Sequence, residues 1–156
     1  MQKAFEDFTA RNAEGHNLIS QKNVNLIKIK LGKSHRKESD WVVIKEILSS
    51  HNVIVAEPVK PDRLVPVKEH ILCEDGSLVV FTNIDDCTEH IIHLNRQDGV
   101  PDRQFQLGSM PFIEAVDIAE EYGMDLYIDL QAKPNTRCMC YVTGEGKIKA
   151  VMMAKT

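Results

Sequence analysis

From Ser39 onward, segments with helical periodicity interleave with short apolar runs of strand length, and that order most limits the folds open to this chain. Ser39 or Asp40 is placed to cap a helix reaching about Ser50, with Trp41, Ile44, Ile47 and Leu48 along one side. Val53 to Ala56 is a short apolar strand, closed by the loop that Pro58 and Pro61 mark. Leu64 to Cys73 and Ser77 to Thr82 read as a hairpin, because Asp75-Gly76 supplies the positive backbone angles of a tight turn. Thr82-Asn83-Ile84-Asp85 resembles a capping box, and the helix it opens would turn Ile84, Cys87, Ile91 and Leu94 inward. After a loop at Gln97 to Asp102, Gln104 to Leu107 is a candidate strand. Pro111 starts another helix, whose Phe112, Ala115, Val116, Ala119 and Tyr122 oppose Glu114, Asp117 and Glu121, and Gly123 ends it. Leu126 to Leu130 is a strand, followed by a second hairpin of Arg137 to Val142 and Lys147 to Met152. Hairpins mixed with helical crossovers predict an α+β fold: a single domain with one mixed β-sheet, helices mainly on one face and two β-hairpins.

A chain of 156 residues has room for one such domain, and it is large enough to fold without a metal or a disulfide. Residues 39–156 form the expected domain. Residues 1–38 read as an N-terminal extension with one strand, Val24 to Leu31, which alternates apolar residues with Lys28 and Lys30 from Ile27 on. The net charge of −4 weighs against a general nucleic-acid role. Its distribution is bipolar. Gln21 to Asp40 holds six basic residues against Glu38 and Asp40, whereas Pro111 to Leu130 holds six acidic residues and no Lys or Arg. These runs could meet between chains, and Val24 to Leu31 could add to a sheet edge, so a homodimer with residues 1–38 in the contact is an expectation.

No stretch of about 18 apolar residues exists, and the N-terminal Met-Gln-Lys-Ala-Phe-Glu-Asp lacks the apolar core of a signal peptide. Four cysteines without a C-x-x-C spacing point to reduced thiols in a cytoplasm, and no membrane association is expected. Cys87, His90 and His93 are the densest potential zinc ligands, but on a helix Cys87 and His93 point about 120° apart. Cys138 and Cys140 share one face of a strand and read as core residues, although Arg137 could lower a neighbouring thiol's pKa. Ser109 lacks the second glycine of a nucleophile elbow and reads as a helix-start residue. Gly32-Lys33-Ser34 lacks the upstream glycine of a phosphate loop, and Glu114, Asp117 and Glu121 form a solvated face. No catalytic, cofactor-binding or metal-ligating set emerges.

The stretch from Trp41 through Val53-Ile54-Val55-Ala56 and Leu64-Val65-Pro66-Val67 to Val79-Val80-Phe81-Thr82-Asn83 resembles the N-terminal domain of the SseB family, the enhanced serine sensitivity proteins. Met110-Pro111-Phe112 to Asp125-Leu126 is similar to that family's next helix and strand, so the resemblance spans approximately Ser39 to Leu130. Asp129-Leu130 stands where the family often has Asn-Pro, and Asn83 where Ser is usual. The resemblance implies an α/β domain with no catalytic residue set to transfer. Together with the absence of convergent catalytic residues, it leads to the expectation of a non-catalytic cytoplasmic protein-interaction or regulatory domain. The alternative is a small-ligand-binding protein or enzyme using a Cys/His site.

Overall fold

The structure is a computed structural model that describes residues 17–58, 77–97, 105–131 and 136–152. In chain order the elements are α1 (Gln21–Leu31), α2 (Glu38–Ser49), β1 (Asn52–Pro58), β2 (Leu78–Val80), α3 (Ile84–Gln97), β3 (Phe105–Pro111), α4 (Phe112–Tyr122), β4 (Leu126–Ile128), β5 (Arg137–Val142) and β6 (Lys147–Met152). The expected hairpin between Leu64 and Thr82 lies, except for β2, outside the described residues, as do Cys73 and the Asp75-Gly76 turn.

The strand expected at Val24 to Leu31 is a helix. Ser20 caps α1 by accepting a hydrogen bond from the Asn23 N–H at 3.2 Å. Val24, Ile27 and Leu31 recur at helical intervals and all three are buried in the main core. The alternation from Ile27 to Leu31 fits a strand locally, but burial of this wider stripe decides the conformation, leaving Ile29 exposed. Residues 17–38 therefore do not stand apart from the core. Ile19 is buried in it, and Leu18 bridges Asn52 in parallel.

Helix starts shift by a residue or two from their sequence signals. Lys37, not Ser39 or Asp40, is the N-cap of α2, and Asp40 serves from the third helical position, its Oδ2 accepting from the Lys37 N–H at 2.9 Å. The cap of α3 is reciprocal between Asn83 and Asp86: the Asp86 N–H donates to Asn83 Oδ1 and Asn83 Nδ2 donates to Asp86 Oδ2, both at 2.9 Å. Thr82, expected to do this work, is engaged elsewhere. Pro111 precedes α4 as its cap residue while still paired in β3, and Gly123, at φ 64°, ends α4 in the left-handed conformation that glycine adopts without a side-chain clash.

The fold is mixed α+β in a single small domain, with the described strands in two sheets. β1 and β3 pair antiparallel along seven residues, so β3 is longer than expected and Ser109 lies in a strand opposite Ile54, not at a helix start. The other sheet runs β2-β4-β5-β6, with β2 and β4 parallel and the remaining pairs antiparallel. An Ile54–Phe81 bridge, two backbone hydrogen bonds of 2.8 Å, ties the sheets together where one continuous sheet was expected.

Alternation along the strands divides the apolar residues between two faces. Val53, Val55, Leu78, Val80, Leu126, Ile128, Met139 and Tyr141 face a core shared with α1, α2 and α4. Ile54, Ala56, Val79, Phe81 and Leu107 meet Cys87 and Ile91 of α3 on the other side. Three of the four described helices thus cover one face, as the sequence order predicts.

Candidate functional site

The same helical registers that bury one side of α2 and α4 leave a second apolar stripe uncovered. In α2, Ile44, Ile47 and Leu48 point into the core, which turns Trp41, Val42 and Lys45 toward the side of the helix. In α4, burial of Phe112 and Ala115 rotates Ile113 outward, with Val116 and Asp117 one turn further on. Val42 is 48% exposed and Ile113 56%, large values for aliphatic side chains. Both stripes line one open groove of about 630 Å³, whose remaining wall is the strand β6 around Ile148. A smaller depression continues it past Trp41 to Ser34, His35 and Arg36.

Residues in the walls of the groove and its continuation are tied down by polar contacts. Arg36 Nη1 donates to the carbonyls of Leu31 at 2.8 Å and Lys33 at 2.6 Å, which neutralises the negative end of α1, and its guanidinium stands 5.8 Å from the Trp41 ring. Arg137 Nη1 donates to the same two carbonyls, so the arginine is committed to the helix end and not to a thiol. The Tyr141 hydroxyl donates to Glu120 Oε1 at 2.6 Å, and that bond pushes Tyr141 up to about 12.

A second cluster lies where the parallel strands β2 and β4 end, the position at which open α/β sheets place their ligand sites. Asp129 follows β4 with φ 62°, an uncommon angle for a residue other than glycine, although aspartate tolerates it. Its carboxylate accepts from the Thr82 N–H at 2.8 Å and from the Thr82 hydroxyl at 2.7 Å. Asn83 Nδ2 donates to Thr82 Oγ1 at 3.2 Å, and Lys28 of α1 pairs with Asp86 at 3.1 Å, which extends the network to the start of α3. Burial pushes Asp129 up to about 6, against the opposing pull of the two Thr82 hydrogen bonds. With Asp129 only 5% exposed and both its oxygens satisfied, the arrangement acts as a clasp between strand ends and not as a site open to substrate.

The expected chemical candidates are dispersed. Cys87 is fully buried against the β1–β3 side, His93 is exposed, and His90 is half-buried with its ring 5.2 Å from Phe81. Burial moves the Cys87 thiol well above its ordinary value and lowers His90 to about 4. Cys138 and Cys140 are buried on one face of β5, as their spacing predicts, and burial raises each to about 11. A thiol raised by burial is a weak nucleophile at neutral pH. Among the described residues no group of three or more His, Cys, Asp or Glu is arranged to hold a metal ion. Gly32-Lys33-Ser34 sits at the C-terminal end of α1, where the helix dipole repels a phosphate. Glu114, Asp117 and Glu121 are exposed along α4.

Sequence reasoning missed Val42 and Ile113, the two residues that define the groove. Their signal was present: each is a large aliphatic residue outside the core stripe of its own helix. Comparison of the chain with family models, with curated proteins and with solved structures finds no match.

Proposed function

We propose that this chain is a non-catalytic protein-interaction or regulatory domain, and that the groove between α2, α4 and β6 receives a segment of a partner protein. The carrying observation is that Val42 and Ile113, from two different helices, are both uncovered and flank one groove of about 630 Å³, whereas the exposed Ile29 and Met152 lie outside it. The groove is open, lined on its helical side by Trp41, Val42, Phe112, Ile113 and Val116 with Glu38, Lys45 and Asp117 among them, and continues past Trp41 to Ser34, which suits a polypeptide better than a compact metabolite. The resemblance to the SseB family supports the same reading. An enzyme or small-ligand binder working through Cys and His is disfavoured by thiols that burial raises and by the burial of Cys87 while His93 is exposed.

The described part of residues 1–38 offers less to a homodimer than the sequence led one to expect. The segment expected to offer a strand edge is helix α1, and Lys28, Lys30 and Lys33 are engaged by Asp86 and Asp40 within the chain. We therefore take a different protein as the partner. Random peptides displayed on phage, panned on the intact protein and counter-selected on a Val42→Asp/Ile113→Asp variant, test the assignment. Both substitutions fall on exposed positions and spare the core. Enriched peptides should shift the amide resonances of Val42 and Ile113 and the Trp41 indole. Peptides that bind wild type and variant equally, or that shift resonances around Asp129 instead, refute it.

A further inference from the structure

Among the described residues β6 is the last strand of its sheet, paired with β5 on one side and with no described residue on the other. Gly146, Lys147, Ile148 and Lys149 all line the groove, and Ile148, Lys149 and Ala150 line its continuation. Neighbouring residues of a strand point to opposite faces, so four strand residues in succession, Lys147 to Ala150, can border the groove and its continuation only through the edge of the strand. That edge carries backbone N–H and C=O groups at alternate residues, aimed away from β5.

The two faces beside this edge differ in chemistry. Ile148 and Ala150 stand opposite Tyr141 and Met139 and pack against the core under α2 and α4, next to the uncovered Val42 and Ile113. Lys147 and Lys149 stand opposite Val142 and Cys140 on the reverse face, and both are exposed. A strand laid along β6 would therefore meet an apolar surface with every second side chain and lysines with the others. A second copy of β6 would bring more lysines onto the face that already holds two, which like-charge repulsion opposes.

We propose that the outer edge of β6 accepts an extended segment of a partner protein as an added strand, and that the segment alternates apolar and acidic side chains. This deepens the groove assignment made above and rests on it. The apolar residues enter between Ile148 and the Val42–Ile113 pair, the acidic residues reach Lys147 and Lys149, and the main chain supplies the hydrogen bonds. Lys149 already pairs with Glu145 in the hairpin, but both side chains are about half exposed, so that pair yields readily to a new partner.

The test uses three synthetic peptides titrated into the ¹⁵N-labelled full chain: an alternating Glu–Val octamer, an alternating Lys–Val octamer, and an acidic helix-forming peptide with apolar residues at helical spacing. The Glu–Val peptide should bind, perturb the amides of residues 147–151 and slow their hydrogen exchange. N-methylation of alternate peptide amides should abolish binding in one frame and spare it in the other. A Lys147→Glu/Lys149→Glu variant, with its fold checked by circular dichroism, should lose at least tenfold in affinity for Glu–Val and gain binding of Lys–Val. Equal binding of the Glu–Val and Lys–Val peptides overturns the charge pattern, and insensitivity to N-methylation overturns strand addition. Binding of the helical peptide alone overturns this proposal and leaves the groove assignment standing. If none of the three binds while panned peptides do, the proposal fails and the groove assignment survives; failure of both experiments removes both.

Discussion

Replacing Asp129 by Asn should change how stability depends on pH more than it changes the fold. Asparagine accepts the left-handed backbone at φ 62°, and its amide oxygen can keep the hydrogen bond from the Thr82 N–H. The Thr82 hydroxyl need only rotate to accept from the new amide nitrogen instead of donating. What disappears is a titration. Burial raises Asp129 from 3.8 to about 6, so the folded protein binds this proton more tightly than the unfolded chain does. Stability therefore falls as pH rises from near 4 to near 6 and levels off above, because unfolding then relieves the cost of a buried carboxylate. At ~1.4 kcal/mol per tenfold change in proton affinity, the displacement is worth about 3 kcal/mol. The Asp129→Asn variant carries no such penalty, so wild type and variant should be close at pH 4 and separate by about that amount, variant above wild type, by pH 7. Urea unfolding at pH 4, 5, 6, 7 and 8 measures it, and at a slope of ~1–3 kcal/mol/M the midpoints should part by roughly 1–3 M with the slope unchanged. Subtracting the two curves removes other titrating groups, His90 included. A difference that stays flat with pH refutes the reasoning, and so does wild type gaining on the variant as pH rises. The latter result would mean that the two Thr82 donors outweigh desolvation.

Asp40 has the opposite sign. Lys30 at 2.9 Å, then the Lys37 N–H and Lys33, hold its carboxyl well below the usual carboxylate range, so its contribution is complete at neutral pH and disappears as pH falls below the ordinary value. Asp40→Asn should lower the melting temperature at pH 7, and a gap from wild type that fails to narrow on strong acidification would contradict this. Deleting residues 1–38 should unfold the protein, since it strips Ile19, Val24, Ile27 and Leu31 from the core at ~1.5–3 kcal/mol each; a truncated chain with a cooperative thermal transition would show α1 to be dispensable. Replacing Cys138 and Cys140 by Ser should cost ~1–3 kcal/mol for each hydroxyl buried without a partner, and both native thiols should resist labelling until the protein opens. Labelling at the rate of a free thiol would overturn their burial.

Signals that act within one element were legible in the sequence. The helical stripe of α2, the Phe112, Ala115 and Ala119 part of the α4 stripe, the stop at Gly123, the hairpin of β5 and β6 and the placing of Cys138 and Cys140 on one face all follow from backbone periodicity and from the angles that glycine permits. Tyr122, expected inward, is exposed, and Ile118 is buried instead. The same periodicity was ambiguous at Val24 to Leu31, where a strand pattern lies within a helical one, and only the core that receives Val24, Ile27 and Leu31 resolves it. Cap positions moved by a residue or two because several polar side chains compete for the same backbone N–H groups. Asp129 claims Thr82 from 47 residues away, and Asn83 takes the cap. The groove belongs wholly to tertiary structure. Val42, Ile113 and Ile148 come from three distant segments, and no property of any one segment states that packing of its buried side will leave these three around one opening. A chain's local pattern determines which side of each element must be buried; which leftover side chains become neighbours depends on how the elements dock, and that is set by contacts between residues far apart in the sequence.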